Sequence, residues 1–449
     1  MLITHAKLVT WTQPNQILED HALLIENGKI ADIGFSDTME TQYPHEEKLD
    51  ARGQVVMPGL ICTHTHFYSA YSRGMALYGD APANFPEILD KLWWPLDLSL
   101  SLEDVRMSAM MGIVDAIKHG TTTLIDHHAS YGSVSGSLNE IAKAVDETGL
   151  RASLCYEVSD RNGPELAQEA IEENRRFIEY VQREKPMDGR LAAMFGLHAS
   201  LTLSPETLEA CKKASPEGVG FHIHVAEDIV DEYDSINKYG MRVVDRLYKN
   251  DILGPNTVVG HATHVDAREI ALLAETGTWV SHQPRSNMNN AVGVSAVESM
   301  MRAGVKVVLG NDGFSNAMLD EWRTTYLVHK VWNRDPRRMG GYDLIDMAVY
   351  NNAALTSTMF DQKVGVIEKG SAADLIFVDY LSYTPMSEGN LPWHILFGFR
   401  DSLVTTTIVA GNVLMKDRQL LTVDEQKLHA EAQKLVPETW TRFQEQFVT

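Results

Sequence analysis

The 449-residue chain has only three cysteines, Cys62, Cys155 and Cys211. They are widely spaced and odd in number, which excludes a disulfide framework or a cysteine-rich zinc module and suits a reducing cytosol. Long hydrophobic runs are absent as well: no apolar stretch reaches the roughly 18 residues of a membrane span. The first residues read directly as a strand, without the basic and apolar regions of a secretion signal. Positive charge is scarce, with 39 Lys and Arg against 61 Asp and Glu and a formal charge of −22. No basic cluster offsets it, which argues against nucleic-acid binding. A cytoplasmic protein with a small-molecule partner is expected, and 44% hydrophobic residues suffice for a large core.

What is present is a series of polar residues, each ending an apolar run. His64 and His66 follow Val55–Ile61. Side chains two apart on a strand point the same way, so both imidazoles can grip one metal ion. His198, His224, His261 and Asp312 each close a later apolar run. Candidate strands are Gly59–His64, Thr121–Asp126, Arg151–Glu157, Leu191–His198, Val219–Val225, Thr257–His261, Thr278–His282 and Lys306–Gly310. We number them 1 to 8. Helical patterns separate them, including Leu102–His119, Ser137–Thr148 and a single long one over Val230–Tyr248. Eight strand–helix units predict an α/β protein with a (β/α)8 TIM-like barrel over residues 57–364.

Residues 1–56 read instead as short strands, with Asn27-Gly28 marking a tight hairpin. Strand-like segments return at Asp374–Asp379 and Leu403–Leu414, too late for the barrel. Residues 1–56 and 365–422 are therefore expected to form a small β-sandwich from both chain ends, with a helix over 423–449. The longest barrel insertion, Phe67–Leu100, carries Tyr68, Tyr71, Tyr78, Phe85, Trp93 and Trp94. It sits where barrel loops build active sites, so its aromatics either cover a flat ring or pack the loop down; Trp93 and Trp94 favour packing.

His64, His66, His224 and Asp312 are the expected metal ligands. Three imidazoles and a carboxylate suit one divalent ion, zinc first and iron as the alternative. Such an ion lowers the pKa of bound water toward neutrality. Strand 4 offers no lysine to carry a bridging carbamate, which favours one metal. Glu227, three residues beyond His224, can curl back as a proton carrier; otherwise it is a surface acid opening the run to Glu232. Asp312 doubles as a proton acceptor, His261 orients the attacking hydroxide, and His198 contacts substrate. Arg285, Asn287 and Asn290 follow strand 7 and can hydrogen-bond a polar ring. His222 shares the face of His224 and is expected one layer deeper. His127, His128 and His282 have suitable positions without an assigned role.

Pro58–His66, His224-Val225-Ala226-Glu227, Gly260-His261, Gly310–Gly313 and Gly365–Leu375 resemble the amidohydrolase superfamily. The likeness is to its mononuclear cytosine-, guanine- and S-adenosylhomocysteine-deaminase and triazine-hydrolase branch. Asp126–Ser130, Leu92–Asp97 and Arg285–Asn290 are similar to the aminohydrolases labelled SsnA, associated with purine metabolism. The resemblance implies the same four ligands and Glu227 as proton shuttle. It implies a hydrolytic deaminase of an aromatic N-heterocycle such as a purine or pterin. Alternatives are displacement of chloride or an alkylamine, or a catalytically idle metal-stabilised scaffold. Phe67-Tyr68 replaces the Pro-Gln usual in guanine deaminases, which counts against guanine itself. Dimers are common in the family, so a homodimer is an added expectation.

Overall fold

The computed structural model describes residues 1–448. Eight parallel strands are present: strand 1 (Leu60–Thr65), strand 2 (Thr121–His128), strand 3 (Arg151–Tyr156), and strand 4 in two pieces, Leu191–Ala193 and Phe195–Ala199. Phe221–Val225, Val258–His261, Trp279–His282 and Val307–Leu309 are strands 5 to 8. Strands 1–4 and strands 4–8 form two parallel ladders. Single parallel bridges join them, Val158 to Leu197 at strands 3 and 4 and Thr65 to Asp312 at strands 1 and 8. The second is reinforced by the Asp312 amide donating to the His64 carbonyl at 3.0 Å. This closes the ring. A Cβ on Gly310 would lie 2.7 Å from the His64 amide nitrogen, so only glycine allows strand 8 this close.

Every residue of strands 1–8 is buried except the half-buried Ala193, as expected for strands covered on both faces. Helices separate most of them. The expected single helix over Val230–Tyr248 is instead two, Ile229–Tyr239 and Val243–Lys249. Gly240, at φ +69°, ends the first with a left-handed cap.

The remaining strands form one nine-stranded sheet from both chain ends. Val55–Pro58 is its seam, running parallel to Leu2–Val9 and antiparallel to Leu375–Val378. The Asn27-Gly28 turn is present, both residues at positive φ. The expected strand Leu403–Leu414 is a hairpin, Val404–Val409 and Asn412–Lys416, turning at Gly411. A buried Arg151–Asp374 ion pair of 2.7 Å ties strand 3 to this sheet. Helix Glu425–Glu445 packs across the outside of the barrel. Among the described residues no helix is long and apolar enough to cross a membrane.

Candidate metal centre and active site

The three expected histidine ligands turn their Nε2 atoms toward one region because each Nδ1 is already engaged. His66 Nδ1 donates to the His127 carbonyl. His224 Nδ1 donates to the His198 carbonyl at 2.9 Å. His64 Nδ1 lies 2.8 Å from His222 Nε2, which places His222 in the layer below, as the alternation of strand 5 requires. Outer partners of this kind fix the ring and its tautomer. His66 Nε2 is 3.3 Å from His224 Nε2 and 3.0 Å from Asp312 Oδ1, while His64 Nε2 is 3.8 Å from the same oxygen. Donors around a tetrahedral zinc stand about 3.3–3.4 Å apart, given zinc–nitrogen bonds of about 2.0–2.1 Å. His64 Nε2 is buried without a hydrogen-bond partner among the described residues. The donor set and this orphaned nitrogen fit a divalent cation. Without one, His66 is raised to about 9; burial opposes its charge, but the Asp312 carboxylate outweighs it. Burial works to raise the Asp312 carboxyl, and the surrounding imidazoles, His66 first, hold it well below the carboxylate range.

A second group overlaps the first. Glu227, His261 and Asp312 bring one donor atom each within 4.8 Å of one another. His261 Nε2 lies 3.4 Å from Glu227 Oε2 and 3.8 Å from Asp312 Oδ2, and has no hydrogen-bond partner among the described residues. Ala226, at φ +45°, turns the chain after strand 5 and folds Glu227 back over the site, where Asn290 Nδ2 donates to it at 3.1 Å. Burial pushes the Glu227 carboxyl up to about 7, against the opposing pull of His261. His261 and Asp312 both hold left-handed backbone, at φ +67° and +58°. That conformation costs a non-glycine residue about 1 kcal/mol or more and concentrates at functional sites.

A cleft of about 680 Å³, the open solvent at its mouth included, leads onto this cluster. His66, His198, His224, Glu227, Asn290 and Asp312 line its inner end. Tyr68, Phe85, Trp93 and Trp94 form a wall from the insertion after strand 1. Trp93 and Trp94 pack against Phe85, Leu89 and Val292, as expected, and line the cavity as well. Arg285 does not line it. Its guanidinium pairs with buried Glu321 and donates to the Ser315 carbonyl at 2.8 Å. Asn287 is also outside the lining; its Oδ1 accepts from His261 Nδ1 at 2.8 Å. Both were expected to contact substrate, and neither is among the residues that line this cavity. Helix Pro284–Asn289 turns Ser286 and, one turn later, Asn290 toward the site, and Ser286 Oγ donates to Asp312 Oδ2 at 2.5 Å.

Three further lining residues, Asp97, Glu157 and Arg161, were not among the expected site residues. Glu157 directly follows strand 3, and burial pushes its carboxyl up to about 7. Arg161 pairs with Asp97 and stacks 4.6 Å over Tyr131. Arg161 Nε and Nη1, Asp97 Oδ1 and Glu157 Oε1 are buried without partners among the described residues, so this wall offers free donors and acceptors.

An amidohydrolase family model matches residues 55–414. The chain belongs to the amidohydrolase family. Family membership makes it a hydrolase of non-peptide carbon–nitrogen bonds. Among curated relatives, the 5'-deoxyadenosine deaminase of Methanosarcina mazei is 34% identical, over 98% of this chain and 99% of that protein. The 5-methylthioadenosine/S-adenosylhomocysteine deaminase of Syntrophomonas wolfei is 32% identical, over 97% and 98%. In fold, this amidohydrolase is similar to an adenosine deaminase from Xanthomonas campestris solved with bound zinc, with a TM-score of 0.86, 24% identity and 98% of each chain covered.

Proposed function

We propose that this amidohydrolase deaminates an adenine-type nucleoside, with one zinc ion held by His64, His66, His224 and Asp312. The observation that carries the reading is the meeting of Glu227, His261 and Asp312 at the inner end of an aromatic-walled cavity. The names of the two curated relatives support the substrate class. A divalent cation in this site supplies Lewis acidity, bringing the pKa of water toward neutrality.

His261 and Asp312 orient the attacking water. Asn287 fixes the His261 ring by accepting from Nδ1. Glu227 takes a proton from that water and delivers it to the ring nitrogen beside the aminated carbon. The carbon–oxygen bond forms, the carbon–amine bond breaks with a proton moving to the leaving nitrogen, and ammonia departs. One water is consumed, and the exocyclic amine is replaced by a carbonyl oxygen. Tyr68, Trp93 and Trp94 cover the ring, while Asp97, Glu157, Arg161 and His198 hydrogen-bond its polar substituents. The three buried, unpaired cysteines suit a cytoplasmic setting. We assign residues 57–364 to the catalytic barrel, 1–56 and 365–422 to the β domain and 423–449 to the C-terminal segment that carries helix Glu425–Glu445, Thr449 lying outside the described residues.

The test is ammonia release from 5'-deoxyadenosine, 5'-methylthioadenosine, adenosine, guanine and a pterin, with metal measured alongside. Turnover of the adenine nucleosides supports the reading. Activity confined to guanine or the pterin overturns its substrate class.

A further inference from the structure

We infer that the C-terminal helix is a positioning element of the active site: Trp440 and Gln446 hold the cavity wall that follows strand 1. This rests on the reading of the cavity as the substrate site. The wall is Phe67–Leu100, a long stretch built only from short helical turns at Phe67–Ser72, Phe85–Ile88, Leu89–Trp93 and Trp94–Ser99. Helices this short are unstable alone and depend on tertiary contacts. Their last carbonyls also need donors from elsewhere.

The donors come from the far end of the sequence. Gln446 Nε2 donates to the Pro95 carbonyl at 2.9 Å and to Ser99 Oγ at 2.7 Å. Arg442 Nε donates to the Ser99 carbonyl at 2.9 Å. Trp440 Nε1 donates to the Tyr71 carbonyl at 2.8 Å. Phe447 stacks on Tyr78 with ring centroids 5.5 Å apart. These contacts bracket the part of the wall that presents Trp93, Trp94 and Asp97 to the cavity. None of them touches the metal ligands, Glu227 or His261. Losing them leaves the reacting groups in place and frees the wall, so ordering it falls to substrate binding. The wall is thus held before substrate arrives.

The experiment uses the full chain with Trp440→Phe and Gln446→Leu combined, which keeps bulk and removes three hydrogen bonds. Lys434→Ala, exposed on the same helix, is the control. Expected for the double variant are a KM raised about tenfold, a kcat within about twofold and unchanged metal content. Tryptic cleavage after Arg73, exposed within the wall, should accelerate about tenfold in parallel, reflecting easier local opening. The control should match the parent in both assays. Unchanged KM and unchanged cleavage would overturn the inference. So would a loss of kcat that tracks lost metal, because that marks general loosening of the barrel. If the parent deaminates nothing, the reading of the site fails, and the cleavage rates alone still decide whether the helix holds the wall.

Discussion

Glu227 Oε2 lies 3.4 Å from His261 Nε2, with the imidazole fully buried and anchored from behind and the Glu227 side chain 11% exposed. A carboxylate that close to an uncommitted ring nitrogen is placed to exchange protons with a water between them. The same burial that readies it also makes it costly to ionise.

Glu227→Gln keeps the shape of the side chain and cannot accept a proton at neutral pH. Loss of general acid–base assistance is typically worth about 10²–10⁴-fold. Expected is a fall of that size in kcat and in kcat/KM together, with metal content unchanged. Steady-state kinetics on the substrate found by the ammonia panel check it.

Burial raises the Glu227 carboxyl from 4.5 to about 7. Only the ionised form accepts a proton, so kcat/KM should rise with pH as Glu227 ionises and then level. The stability consequence has the opposite sense. A carboxyl raised in the folded state carries no penalty below its unfolded pKa and a growing one as pH rises toward its folded value. In metal-free protein, Glu227→Gln should therefore match the parent below about pH 4.5 and be the more stable of the two above pH 7. Denaturant unfolding at the two pH values measures both.

One divalent ion per chain is expected by elemental analysis. His64→Ala should lose it, because it removes half of the strand 1 pair. His261→Ala should keep the metal and lose turnover, since its ring contacts Glu227 and Asp312 rather than completing the ligand set. Metal lost from His261→Ala would place it among the ligands.

The cavity is acidic beyond the metal centre. Arg161, its one lining Arg or Lys among the described residues, is paired with Asp97, while Glu157, Asp228 and Asp231 add carboxyl groups. An adenosine analogue with a 5'-carboxylate should be at least about tenfold poorer in kcat/KM than 5'-deoxyadenosine, because like charge meets it in a low-dielectric pocket. Competition between the two substrates checks this.

Strand periodicity made the cluster of histidines and carboxylates readable. Polar residues that end buried strands reach the same end of a barrel, so His64, His66, His224, His261 and Asp312 come together as their order in the sequence suggested. The same alternation put His222 one layer below His224. The substrate wall was harder to read. Arg285 lies on a short helix that Asn290 caps, and nothing in sequence says that Glu321, more than thirty residues on, takes the guanidinium. Arg161 and Asp97 lie 64 residues apart on different loops, and their pairing depends on where those loops fold. The break at Gly240 was visible as a glycine, yet the apolar period runs across it.

The most direct measurement is product analysis of the zinc-loaded chain acting on 5'-deoxyadenosine in water labelled with heavy oxygen. Expected is one ammonia for each molecule consumed, with the label in the new carbonyl and almost no product from Glu227→Gln. No ammonia from any aminated N-heterocycle, or a Glu227→Gln variant as active as the parent with its metal in place, would contradict hydrolytic deamination at this site.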